Sequence, residues 1–157
     1  MNPLFGVLGA PLIGAAVLAA IPGYRMSARL NVAASLIAFL ASLLLLRERP
    51  PSGDLLLVDD LNIVFIVLST FIGFTTSVFS ASYIGHELET GRLTPAYLRF
   101  YHAMFQVMML GMNLALVSNN IGLMWVAVEL ATLSTVMMVG IYRTHEAIEA
   151  AWKYFIL

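Results

Sequence analysis

"IGLMWVAVELATLSTVMMVG", residues 121–140, decides the fold. A helix of about 20 apolar residues crosses a bilayer core of roughly 30 Å, and this run has that length with a single carboxylate, Glu129, near its middle. An ionised acid at a helix centre costs roughly 2.5–3.5 kcal/mol on insertion scales, so its presence there asks for a reason. Working outward, four more such runs lie between the charges: Leu4–Ile21, Leu30–Leu46, Leu61–Ala81 and Ala96–Val117, with the quoted stretch reaching Ile141. Of 157 residues, 61% are hydrophobic and 11% charged. The mean hydropathy of +0.90 exceeds that of an ordinary water-soluble domain. The expectation is an all-α, polytopic transmembrane helix bundle with five full spans plus the start of a sixth, forming a single transmembrane domain over 1–157.

Composition also removes whole classes of chemistry. Eight basic and nine acidic residues give a net charge of -1, and no basic run suits a phosphate backbone, so nucleic acid is not a partner. There is no cysteine, hence no disulfide, thiolate zinc site, iron–sulfur ligation or thiol nucleophile. His86, His102 and His145 are too far apart in sequence to form a local metal motif. A redox centre therefore belongs on a partner, and the chain itself is expected to bind no cofactor or metal and to supply no catalytic residue.

The loops orient the bundle. Arg25, Arg29, Arg92, Arg99 and Arg143 fall on one side, whereas the other holds Arg47 and Arg49 among Glu48, Asp54, Asp59 and Asp60. The positive-inside rule then places the amino terminus outside a prokaryotic cytoplasmic membrane. "RERPPSGD", 47–54, becomes an external turn whose prolines end the second helix. The first span has the small Ala19 and Ala20 of a secretory signal but lacks the basic residues that normally precede one. The last segment, "HEAIEAAWKYFIL" (145–157), starts like a helix but supplies only about 18 Å from Glu146 onward. It would stop inside the membrane, so the expectation is the front of a longer polypeptide or a truncated copy.

Polar residues within the spans fall on stripes. His102, Gln106 and Asn113 lie within about 40° of one another on a helical wheel. His102 changes charge near neutral pH, and the two amides can hold water, so this stripe reads either as a buried hydrogen-bonding group or as part of a proton path. Asn62, Ser69, Gly73, Thr76 and Ser80 form a stripe in the third span, and Asn31, Ser35, Ala38 and Ser42 another in the second. These are assigned to helix packing, as are Gly6, Ala10 and Gly14 in the first. Glu129 shares a face with Trp125 and Thr132, and burial or a movable cation would set whether it is neutral or charged. Lys153 is its candidate partner within the chain. Glu149, four residues earlier, offers Lys153 a local counter-ion at the membrane edge instead.

The stretch "NNIGLMWVAVELATL", followed after "YRTHEAIE" by "AAWKYFIL", resembles the antiporter-like membrane subunits shared by NADH:quinone oxidoreductase (complex I), Mrp-type sodium/proton antiporters and group 4 membrane-bound hydrogenases. "SASYIGHELETGRLTPAYLRFY" is especially similar to the component F branch of hydrogenase-4. The resemblance covers Asp59 to Leu157 most closely and corresponds to the amino-terminal third of such a subunit. It implies that Glu129, in the W-x-x-x-E pattern after Trp125, belongs to a buried proton-relay pair, and that Lys153 falls on the lysine recurring in the channel's polar axis. The lysine that usually partners the glutamate lies on a later helix, which this sequence does not contain.

The function expected from the resemblance is that of a membrane subunit, or an N-terminal fragment of one, in a proton-translocating oxidoreductase complex. It would couple redox turnover elsewhere to proton movement through Glu129, Lys153 and His102. Partner subunits, including a peripheral redox module, would carry iron–sulfur clusters and nickel–iron or flavin centres. The alternatives are a non-conducting scaffold of the membrane arm and part of a sodium/proton antiporter.

Overall fold

The computed structural model describes residues 2–21, 23–51 and 53–156; Ser52 of the expected external turn and Leu157 of the last segment lie outside them. Six helices follow one another: α1 (Pro3–Ala20), α2 (Tyr24–Leu45), α3 (Asp60–Glu89), α4 (Pro95–Val117), α5 (Ile121–Val139) and α6 (His145–Ile156), with a 3-10 turn at Gly140–Tyr142. The first five are long and apolar enough to cross a membrane. The chain is an integral membrane protein of helices.

Each start has a local cause. Asn2 accepts a hydrogen bond from Leu4 N at 3.0 Å, with Pro3 in the first turn where its missing N–H costs nothing. Asp59 N donates to Asn62 Oδ1 and Asn62 N to Asp59 Oδ1, each at 2.8 Å, a reciprocal cap that uses Asn62 to begin α3. Thr94 precedes Pro95, and Asn120 accepts from the amides of Gly122 and Leu123. Two helices exceed the apolar runs that announce them. α2 begins at Tyr24, not Leu30, because Arg25 and Arg29 are good helix formers at a wet end. α3 continues eight residues past Ala81 until Gly91, with φ +73°, turns the chain.

Helices consecutive in the chain run antiparallel. Gly6 of α1 lies beside Ala41 of α2, and Gly14 beside Ala34. Tyr24 of α2 donates to the Ala81 carbonyl of α3 at 2.7 Å, while Ser42 and Thr70 share a hydrogen bond of 2.8 Å farther along. α4 is the centre of the bundle and touches α1, α2, α3 and α5; α6 packs on α5 and the 3-10 turn. The loop before α3 docks on the α4–α5 connection, with Leu57 N donating to the Val117 carbonyl and Asn119 N to that of Leu55, each at 2.8 Å.

The interior is divided by depth. Leu4, Val7, Ala41, Leu45, Ile63, Ile66 and Val117 close one end, and Ile84, Leu93, Leu98 and Ile141 the end that carries Arg92 and Arg143. Between these apolar plugs Leu18, Phe105 and Met109 are buried among many small or polar residues, whereas Phe5, Phe79, Ile121 and Trp125 point outward. That is the distribution of a membrane bundle, where lipid is as apolar as leucine and close approach of small residues replaces hydrophobic collapse. A Cβ on Gly6 would stand 2.5 Å from Ala41 Cβ. One on Gly111 would stand 2.8 Å from both Ala127 O and Ala131 N, so α4 and α5 meet backbone to backbone.

Candidate functional site

Glu129 sits near the middle of α5 and is half-buried. α5 turns Ala127 and Ser134 inward, and Ala127 is two positions from Glu129, so the carboxylate points about 160° away from that buried side. Trp125, one turn earlier on the Glu129 side, is 64% exposed. Thr132 donates to the Val128 carbonyl at 3.0 Å, so its hydroxyl serves the backbone. None of the ion pairs among the described residues includes Glu129.

Lys153 is elsewhere. Its Nζ lies 2.6 Å from Glu149 Oε1 one turn back on α6, and both side chains are substantially exposed. The register explains the separation: Ala151 packs opposite Gly140, so Lys153 is level with about residue 138, some nine residues or about 14 Å along the axis from Glu129. The structure therefore brings Lys153 to its local counter-ion and does not bring it to Glu129.

His102 is separated from both by α4 itself. Gly111 marks the α5-facing side of α4, and His102, nine positions earlier, lies about 180° around the helix. The histidine is fully buried, together with Gln106 and Asn113. Gln106 Nε2 meets the Asn31 carbonyl at 3.1 Å, Asn31 Oδ1 at 2.8 Å and Ser35 Oγ at 2.9 Å, joining α4 to α2. Asn113 donates to its own helix at Met109 O, 2.8 Å away. Among the buried polar atoms, Ser27 Oγ, Asn31 Nδ2, both His102 nitrogens, Gln106 Oε1 and Asn113 Oδ1 have no protein partner. A buried group left unpaired costs about 1–3 kcal/mol, a heavy charge against a typical folding stability of about 5–15 kcal/mol.

The three candidate relay residues thus do not form one cluster. The packing residues of α1 do lie together: Gly6, Ala10 and Gly14 line a shallow groove of about 430 Å³ against α2, with Ala33, Ala34 and Ile37 opposite. The α2 stripe is more than packing, since Asn31 and Ser35 bind Gln106. Ser27 and Glu87 are absent from the sequence reading for a shared reason. Both lie on helix beyond the apolar runs, in the early turns of α2 and at the end of α3. Glu87 is nonetheless buried, with Arg92 Nη1 at 3.4 Å from Oε1 and its second oxygen unpartnered. A polar residue one helical turn ahead of Asn31 is the signal that would have found Ser27. Among the described residues no group of three or more His, Asp or Glu side chains could hold a metal ion.

No family model matches the sequence. The chain is 60% identical over 147 residues to a protein of Methylacidiphilum infernorum named hydrogenase-4 component F homolog, which takes in 94% of this chain and 31% of that protein. It is 27% identical over 135 residues to NADH-quinone oxidoreductase subunit N 2 of Thermodesulfovibrio yellowstonii, 85% of this chain and 28% of that one. The chain spans about a third of the length of these relatives. With its five membrane-length helices, the chain is thus similar, over roughly one third of their lengths, to proteins named for hydrogenase-4 and for NADH-quinone oxidoreductase.

Proposed function

We propose that this chain is part of a membrane subunit of a hydrogenase-4 or complex I-like oxidoreductase complex, the former favoured, and that it contributes Glu129 to a proton path. The observation carrying this reading is a carboxylate midway along a membrane-length apolar helix with no ion-pair partner among the described residues. Such a residue either faces a proton route or a charge supplied from outside, because lipid alone would leave it costly. The 60% identity to a hydrogenase-4 component F homolog supports the choice of complex. In this reading 1–157 behaves as one transmembrane domain, its amino terminus outside a prokaryotic cytoplasmic membrane. Other membrane subunits and a peripheral redox module surround it, with the iron–sulfur, nickel–iron or flavin centres housed on those partners.

Glu129 would alternate between protonated and ionised forms as the charge facing it changes, since burial favours the first and a cation the second. Lys153 and His102 would act as separate stations, at a different depth from Glu129 and on different helices. Glu129→Gln in the intact complex tests the central step: proton movement per redox turnover should fall by about tenfold or more while the helices remain inserted. Unchanged proton movement would leave the non-conducting scaffold. Transport that requires sodium would instead favour a sodium/proton antiporter.

A further inference from the structure

The side of α4 that faces α2 offers more hydrogen-bonding capacity than the protein satisfies. Ser27, Asn31, His102 and Gln106 are each 0% exposed. Gln106 uses its amide nitrogen on Asn31 and Ser35, yet Gln106 Oε1, Asn31 Nδ2, Ser27 Oγ and both His102 ring nitrogens meet no hydrogen-bonding partner. These groups are neighbours by register. α2 and α4 run parallel, and one turn toward their first residues from the Asn31–Gln106 contact come Ser27 and His102, on those same helix faces. Gly14 of α1 covers the contact; a Cβ there would lie 3.0 Å from Ala34 Cβ and 3.5 Å from Gln106 Cγ.

The chemistry of the walls selects the ligand. Asn31 presents donors, Gln106 an acceptor, Ser27 either, and a neutral imidazole one of each. An apolar molecule would leave all of them unpaired, and a cation would find donors turned toward it. Water satisfies mixed walls, because a buried water typically makes about three hydrogen bonds to polar groups the protein leaves open. We propose that the α2–α4 seam is an internal ordered-water site walled by Ser27, Asn31, His102 and Gln106. The apolar clusters at the two ends of the bundle separate it from the aqueous phases. His102, although sealed from the surface, then exchanges its proton with water held inside the protein. The site is independent of the role given to Glu129, which lies on the far side of α4.

Water-edited solid-state NMR of the full native polypeptide in lipid nanodiscs, with ring-15N histidine, tests this directly. The exposed His86 and His145 set the rate at which water magnetisation reaches an imidazole. His102 is expected to receive it within about twofold of that rate, and Ser27→Val to reduce the His102 transfer by about half or more. A His102 ring that stays dark while His86 and His145 build up overturns the site. So does a Ser27→Val protein in which His102 transfer is unchanged. A Glu129→Gln complex that still moves protons would bear on the proposed function and leave this result untouched.

Discussion

Between α2 and α4 the polar side chains are fully enclosed and meet one another, whereas on α5 and α6 Glu129 is half-exposed, Lys153 is exposed, and the two do not meet. The seam is built by this chain alone: Gln106 finds its partners on α2, and Gly14 covers the contact. The α5 face is different in kind. α5 is the least buried of the five long helices, and its carboxylate has no ion-pair partner among the described residues. A polar group whose partners are internal is a matter of stability. One whose partner must come from outside is a matter of function, and substitutions should sort the two regions accordingly.

The largest effect belongs to the contact on which both regions hang. Gly111→Val would drive a side chain into the backbone of α5, where Ala127 O and Ala131 N leave only 2.8 Å for a Cβ. Neither backbone atom can yield as a flexible side chain would, so α5 must move off α4. We expect destabilisation of about 3 kcal/mol or more, read as a lower unfolding midpoint in detergent micelles or bicelles, since overpacking alone typically costs about 1–3 kcal/mol. Gly111→Val that unfolds like the parent would mean the helices are not in backbone contact.

Next come the seam residues. Asn31→Leu removes one acceptor from Gln106 and should cost about 1–3 kcal/mol, the range for stranding a buried polar group. Gln106→Leu should cost a similar amount. The double variant is expected to cost clearly less than the sum, because removing both partners strands neither. Additive losses in the same unfolding assay would show that the two side chains do not depend on each other. Glu129→Gln, by contrast, is expected to leave the midpoint within about 0.5 kcal/mol, as a substitution on a face without internal partners should.

The helices were legible because a membrane-length apolar run has few alternative readings. Their ends were less so. Charge marks where a helix leaves lipid, not where it stops being a helix, which is why Ser27 and Glu87 lay outside the spans read from sequence. Within the site, the His102–Gln106–Asn113 stripe was visible from spacing, but its partner was not. Asn31 and Ser35 occupy a stripe that packing explains equally well, and only the parallel placement of α2 beside α4 distinguishes the two readings. The pairing of Glu129 with Lys153 was not decidable from residue types, since it depends on the depth at which α6 packs along α5.

Lys153 is where the comparison predicts the least change in stability. Its ion pair with Glu149 joins neighbours on one helix, with side chains 68% and 50% exposed, and such i,i+4 pairs contribute about 0.3–0.5 kcal/mol. Lys153→Gln should therefore shift the unfolding midpoint very little, and Glu149→Gln about as little. A double-mutant cycle between the two should return a coupling of about 0.5 kcal/mol or less that fades as salt is raised, because exposed charges are screened. The same cycle between Lys153 and Glu129 should return nothing in the isolated chain, given about 14 Å of axial separation. Coupling of Lys153 to Glu129 that appears only in the assembled complex would show that surrounding helices bring the two charges into one network. Coupling already present in the isolated chain would contradict the register of α6 against α5.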